Sequence, residues 1–271
     1  MNGTNNMPNL NESAKSRGAV IFATNTRETD YVAIAEQNAR LIQHFLGLPT
    51  TIVGATDTGT NRRFSSDTGQ FVEWKNFGRH EAYESSPYDE TIIFDADYLI
   101  LDDSLGQLFE CPFDYLLFDQ NHTIDGVYEP SVMGPHSLPF VWATAVLFRR
   151  SEKTKMFFEL VARIKRNYDY YRLLYNVREG NYRNDYAFAI AHYILSGYSL
   201  NRKSFAPHTI TTFAGAITSM ELRDNRVVVR SDQAYVLPRQ SLHVMSKRYL
   251  TTPNLKEFVD QCLSTTPPKV S

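Results

Sequence analysis

A chain of 271 residues with 42% hydrophobic and 13% aromatic side chains carries enough apolar material for a packed core, which excludes a wholly disordered polymer. Its formal charge of −2 excludes attraction to a polyanion over the whole surface, so any such contact needs a local patch. Cys111 and Cys262 are the two cysteines; they make neither a disulfide framework nor a CxxC metal site, and a reducing compartment is expected.

Residues 1–17 are polar and Asn-rich, without the apolar stretch of a signal peptide, and read as a disordered arm. No segment is long and apolar enough for a bilayer span, so the expectation is a cytoplasmic protein without membrane contact. GAVIFATN then reads as a first strand. In TRETDYVAIAEQNARLIQHFLGLP, Tyr31, Ile34, Ala35, Ile42 and Phe45 recur at helical spacing, and Gly47 and Pro49 are stop signals. TTIVGAT follows as a second strand, and strand–helix–strand of this length implies parallel pairing with a right-handed crossover.

Residues 55–70 read as a polar loop, and 71–90 give no clear signal. TIIFDADYLIL (91–101) reads as one buried strand, FDYLLFDQ (113–120) as a fourth, and VWATAVLF (141–148) as a fifth after a Gly/Pro-punctuated loop over 121–140. The spacing from Ser151 to Tyr175 predicts a long amphipathic helix broken near Asn167. NDYAFAIAHYILSGY predicts a second, starting at Asn184 or Asp185 and stopped by Gly197. RVVVRS and QAYVLP suggest a late hairpin. Alternating strands and helices predict an α/β fold: one Rossmann-like domain over 18–260, a mainly parallel twisted sheet flanked by helices, and a flexible tail over 261–271.

Asp95 and Asp97 interrupt the most apolar strand of the chain. Alternate residues of a strand share a face, so both carboxylates can aim at one point, where they repel unless a divalent cation joins them. Mg²⁺ and Mn²⁺ take carboxylate oxygens and leave positions for phosphate. The plain alternative is two solvated aspartates in a turn, since Asp-x-Asp alone is a weak motif.

FDADYLIL closely matches the "MDADTLVL" strand of the glycogenin-like glycosyltransferases, and the chain resembles that GT-A family over most of residues 18–250. The resemblance implies that Asp95 and Asp97 bind Mn²⁺ or Mg²⁺ and, through it, a UDP-sugar donor. It implies that Thr24, Asn25 and Tyr31 hold the nucleotide, although Thr26–Thr29 intervene as extra residues. The family's His-x-x-Gly-x-x-Lys stands here as His243-Val244-Met245-Ser246-Lys247. This implies His243 as third metal ligand and, with shifted spacing, Lys247 on the diphosphate. The sugar-contacting Asn of the family is absent before Ala145, with Trp142 or Thr144 as substitutes. Asp185 corresponds to an acidic residue near the sugar, or is a simple helix cap. Were the stereochemistry inverted, Asp185 or Asp119 would be the base; retention, as in the family, needs no dedicated one.

Residues 149–183 hold ten cationic and four acidic side chains, a local excess of about six, with five tyrosines interleaved. Arg163, Lys165, Arg166, Arg172, Arg178 and Arg183 are accordingly candidates for a DNA acceptor, against the plainer reading of a solvated helix face. The late signature NYRNDYAFAIAHYILSGY…HVMSK is similar to phage-encoded glycosyltransferases that decorate hydroxymethylated pyrimidines. That resemblance implies 5-hydroxymethylcytosine in DNA as acceptor, in a bacterial host's cytoplasm, with a base extruded past the loops at 55–70 and 121–140. The sequence leaves two other classes open. One is transfer to a glycan, protein or small molecule; the other is a non-catalytic nucleic-acid-binding protein on a degenerate scaffold.

Overall fold

The computed structural model describes residues 15–54, 61–65, 70–74, 78–127, 138–139, 141–178, 180–199 and 202–265, with backbone alone for 61–65 and 70–74. Most of the predicted arm lies outside the described residues, but β1 (Arg17–Phe22) begins at the arm's last residue. Helix α1 (Tyr31–Leu46) starts where the Asp30 carboxylate accepts from the Ala33 N–H at 3.0 Å, and ends at Gly47 in the left-handed region. It buries Ile34, Leu41, Ile42 and Phe45, each contributing about 1.5–3 kcal/mol by removal from water. β2 (Thr50–Val53) pairs parallel to β1, completing the expected βαβ unit.

Part of the predicted loop at 55–70 is not a loop: β3 (Asn61–Ser65) and β4 (Gln70–Trp74) form an antiparallel hairpin. A 3₁₀ turn over Arg79–Glu81 and the short α2 (Ala82–Ser85) then lead into β5 (Glu90–Phe94). The continuous strand expected over 91–101 is a second correction. β5 stops at Phe94, Asp95–Asp97 make a turn, and β6 (Tyr98–Leu99) belongs to a different sheet. Both pieces are buried, which is why their hydropathy runs together.

β7 (Tyr115–Phe118), β8 (Asn121–Thr123) and β9 (Trp142–Arg149) follow, so the start of the 121–140 loop is also paired strand. α3 (Glu152–Arg166) and α4 (Tyr168–Leu174) meet at Asn167, the expected break, and α5 (Asn184–Leu195) ends ahead of Gly197 at φ +62°. β10 (Ile210–Phe213) precedes a meander of β11 (Ser219–Arg223), β12 (Arg226–Arg230) and β13 (Ala234–Pro238). Its first turn places Asp224 and Asn225 both at positive φ, as the twist of a two-residue hairpin requires. β14 (Leu242–Val244), α6 (Lys247–Leu250) and α7 (Pro253–Leu263) close the chain. The tail expected from 261 is helical to Leu263, with Cys262 fully buried.

The central sheet has the order β2-β1-β5-β9-β7. β9 is antiparallel to both neighbours, so four of the five strands run one way and the α/β, mainly parallel expectation holds. α3 and α5 pack on one face in a cluster with Phe157, Phe158 and Phe188; α1 and α7 pack on the other. A second sheet, β6-β14-β10-β8, stands beside the carboxyl ends of β1 and β5. Among the described residues no helix is long and apolar enough to cross a membrane.

Candidate metal and donor site

The Asp95–Asp97 turn is the seam between the two sheets, and its backbone is held from both. The Asp95 N–H donates to the Thr144 carbonyl on β9 at 2.8 Å, and the Val244 N–H on β14 donates to the Asp97 carbonyl at 2.9 Å. β6 pairs with β14 so that Tyr98 lies opposite His243. The register brings the imidazole to the turn: ligand atoms of Asp95, Asp97 and His243 all lie within 4.8 Å of one another, and His243 Nε2 stands 3.7 Å from Asp97 Oδ1. Asp97 and His243 are buried and Asp95 is half-buried.

The imidazole is oriented from behind. The Thr212 hydroxyl donates to Asn121 Oδ1 at 2.8 Å and stands 3.4 Å from His243 Nδ1. Nδ1 therefore faces this network and Nε2 faces the carboxylates, the orientation that metal-binding histidines need. Two hard carboxylates and one neutral imidazole fit Mn²⁺ or Mg²⁺ as a donor set.

Two cations face these carboxylates. Arg79 Nη2 contacts Asp95, and Lys247 Nζ contacts Asp97. Arg79 also donates to the Ala143 carbonyl at 2.6 Å; burial draws its guanidinium down to about 10 while Asp185 pulls the other way, so it stays charged at neutral pH. Burial draws the Lys247 amine down to about 7, and the Asp97 carboxylate in contact opposes that loss. Lys247 thus sits beside the pair despite its shifted spacing. Nothing in the sequence singled out Arg79, which lies in the stretch that carried no pattern. Only the electrostatic need for a counter-charge hinted at such a residue.

The other expected residues divide. Tyr31 opens α1 with its phenol pushed by burial to about 12, and Asn25 Oδ1 accepts from the Val32 N–H at 2.9 Å. The extra residues form a tight turn in which the Thr26 hydroxyl accepts from the Glu28 and Thr29 N–H groups. Thr24 is half-buried after β1. Asp185 accepts from the Ala143 N–H at 2.9 Å and from Arg183 at 2.6 and 2.9 Å, so it ties α5 to the start of β9. Asp119 accepts a bidentate pair from Arg202 at 2.7 and 2.9 Å. Of the six cations expected on an acceptor face, Arg163, Arg166 and Arg178 are exposed. Arg172 pairs with Asp169, Arg183 with Asp185, and Lys165 lies 5.9 Å from the Tyr182 ring. Two open concavities lie elsewhere, on β11–β13 around Arg223, Arg226 and Val236.

No protein-family model and no curated protein matches the chain. Among solved structures it is similar to the glycosyltransferase GlyE of Streptococcus pneumoniae TIGR4 at 15% identity, over 72% of this chain and 45% of that one, with a TM-score of 0.37. A glycosyltransferase involved in glycosylation of the major capsid of PBCV-1 is 9% identical over 72% and 80%, with a TM-score of 0.34. The galactosyltransferase LgtC is 12% identical over 93% and 98%, with a TM-score of 0.40. The chain spans less than half of the GlyE chain. Likenesses of this depth carry no functional argument.

Proposed function

We propose that this protein is a metal-dependent glycosyltransferase of GT-A type, which moves a sugar from a UDP-sugar to a hydroxyl acceptor. One observation carries the reading. Two carboxylates and an oriented imidazole converge beyond the carboxyl ends of parallel strands, with Arg79 and Lys247 beside them. Ligands of open α/β sheets bind at that end, and a diphosphate needs both a divalent ion and fixed cations.

Asp95, Asp97 and His243 would hold Mn²⁺ or Mg²⁺, which supplies Lewis-acid neutralisation of the charge on the departing diphosphate. Arg79 and Lys247 exchange carboxylate for phosphate oxygens and stabilise the same charge. Thr24, Asn25 and Tyr31, at the entrance to α1, hold the nucleotide. The bond from the sugar's anomeric carbon to the diphosphate breaks, UDP leaves with the electron pair, and the acceptor hydroxyl oxygen bonds to that carbon and gives its proton to the departing diphosphate oxygen. Asp185 and Asp119 are the candidates for a base, yet the oxygens of both are engaged, those of Asp119 by Arg202 and those of Asp185 by Arg183 and the Ala143 N–H. Retention without a dedicated base agrees better with that geometry.

The acceptor we favour is the 5-hydroxymethyl group of a modified pyrimidine in DNA, 5-hydroxymethylcytosine first, in the cytoplasm of a phage-infected bacterium. Support comes from Arg163, Arg166 and Arg178, exposed on and after α3–α4. Mn²⁺-dependent UDP release from a panel of UDP-sugars, with and without 5-hydroxymethylcytosine DNA, tests both halves. Release stimulated by modified DNA supports both. Slow release indifferent to DNA and to salt keeps the transferase and points to a glycan, protein or small-molecule acceptor. No release from any donor leaves the nucleic-acid-binding scaffold. Asp95→Asn and Asp97→Asn should each lower metal-dependent turnover at least about 100-fold with circular dichroism unchanged. Near-normal rates in both would remove the metal assignment.

A further inference from the structure

We propose that Asn38 is a positioning residue for the carboxylate pair: from α1 it fixes the turn that carries Asp95 and Asp97, and so sets the metal affinity of the site. The proposal rests on the metal reading above. Asn38 is fully buried, on a helix face whose other buried residues are Ile34, Ala35, Leu41, Ile42 and Phe45. A polar group at such a position is costly unless its bonds are made. Its bonds all go to one place. Asn38 Nδ2 donates to the Tyr98 carbonyl at 2.7 Å and reaches the Asp95 carbonyl at 3.4 Å, while Oδ1 accepts from the Ile100 N–H at 3.1 Å.

These three backbone groups bracket Asp97. They belong to the stretch in which the chain has left β5 and its sheet and has only begun to pair with β14, where backbone groups would otherwise lack ladder partners. Thr144 and Val244 hold the turn through main-chain bonds from β9 and β14, and Asn38 holds it from the third side. The side chain acts through the backbone and touches no carboxylate. Asn38 also lies seven residues after Tyr31, about two helical turns on the same face. The nucleotide end and the metal end of the proposed donor site therefore share one rigid element. No other residue type reproduces the bonding: Leu fills the space and bonds nothing, and Asp keeps the acceptor but loses the donor.

The test is Mn²⁺ binding followed by electron paramagnetic resonance with UDP in excess, on the full chain and on Asn38→Ala, Asn38→Leu and Asp97→Asn, alongside thermal melts. Asp97→Asn should abolish binding. The two Asn38 variants, held well below their melting temperatures, should bind Mn²⁺ about 10–100-fold more weakly, the usual effect of losing a group that orients metal ligands. Binding within about two-fold of the unmodified protein in a folded Asn38 variant, however far its melting temperature falls, would reduce Asn38 to a structural residue. An unmodified protein that binds no more Mn²⁺ than Asp97→Asn would instead remove the metal reading itself. Hydrogen exchange needs no variant: the Ile100 amide should gain protection with Mn²⁺ and UDP, and an unchanged rate overturns the proposal.

Discussion

Asp95 and Asp97 are each in contact with a cation of the protein itself, Arg79 and Lys247. Each carboxylate therefore has a basic partner before any ligand arrives. A divalent ion alone would add two positive charges to a cluster already holding two, whereas a metal–diphosphate unit restores the balance. Mn²⁺ by itself should therefore bind weakly, and UDP should strengthen it by about ten-fold or more, an energy of about 1.4 kcal/mol. Lys247→Ala should shrink that coupling while tightening the binding of Mn²⁺ alone; calorimetry with and without UDP reads both, and equal coupling in the variant would contradict the argument. The gathering of Asp95, Asp97 and His243 was legible because the two carboxylates interrupt an apolar run and the imidazole opens a motif, while Lys247 stood there at a shifted spacing. Arg79 was not, because a single arginine in a turn-rich stretch carries no periodicity; only the fold shows what it faces.

α3 and α4 explain which part of the basic segment is free to meet a partner. Ser151 caps α3, its hydroxyl accepting from the Thr154 N–H at 3.1 Å, and the buried face of Phe157, Phe158, Val161 and Ile164 points inward. Arg163 and Arg166 are left outward, while Arg172 and Arg183 are engaged by Asp169 and Asp185. If DNA lies on this face, Arg163→Ala and Arg166→Ala should each weaken binding across sequences and reduce the slope of log affinity against log salt by about one. Fluorescence anisotropy over a salt series measures this, and unchanged slopes in both would place the acceptor elsewhere. The helix periods and stop signals of α1, α3 and α5 were readable, whereas α7 drew no expectation. The β3–β4 hairpin was not, because its polar strands lack the alternation that marks a half-buried sheet.

The packed molecule also stores a response to pH. His192 on α5 is buried, Nδ1 standing 3.1 Å from the Tyr115 hydroxyl of β7 and Nε2 finding no hydrogen-bond partner among the described residues. Burial draws its pKa down to about 4, below the value near 6.5 of the unfolded chain. Stability contributed by the neutral ring is thus present above about pH 6.5 and is lost as pH falls, because the unfolded chain takes up a proton that the folded one refuses. Between pH 7 and pH 5 the loss should approach about 2 kcal/mol in urea melts, and His192→Phe should flatten that slope; an equal slope in the variant would assign the loss to other groups. The α/β class was plain from alternating elements, but the passage of one apolar run between two of the four sheets was hidden. The run from Thr91 to Leu101 is buried on both sides of the seam, and hydropathy registers burial without saying which sheet provides it.

That seam has a mechanical consequence. Asp95 follows β5 of the central sheet, whereas His243 rides on β14 of the smaller one. Any sliding of one sheet against the other would change the gap between those two side chains and shear the core they share, in which Phe94 of β5 packs with Leu242 and Val244 of β14. An ion gripped by both would work as a rivet across a joint. Were the proposed ion bound there, that turn would set how stiffly the two sheets move together.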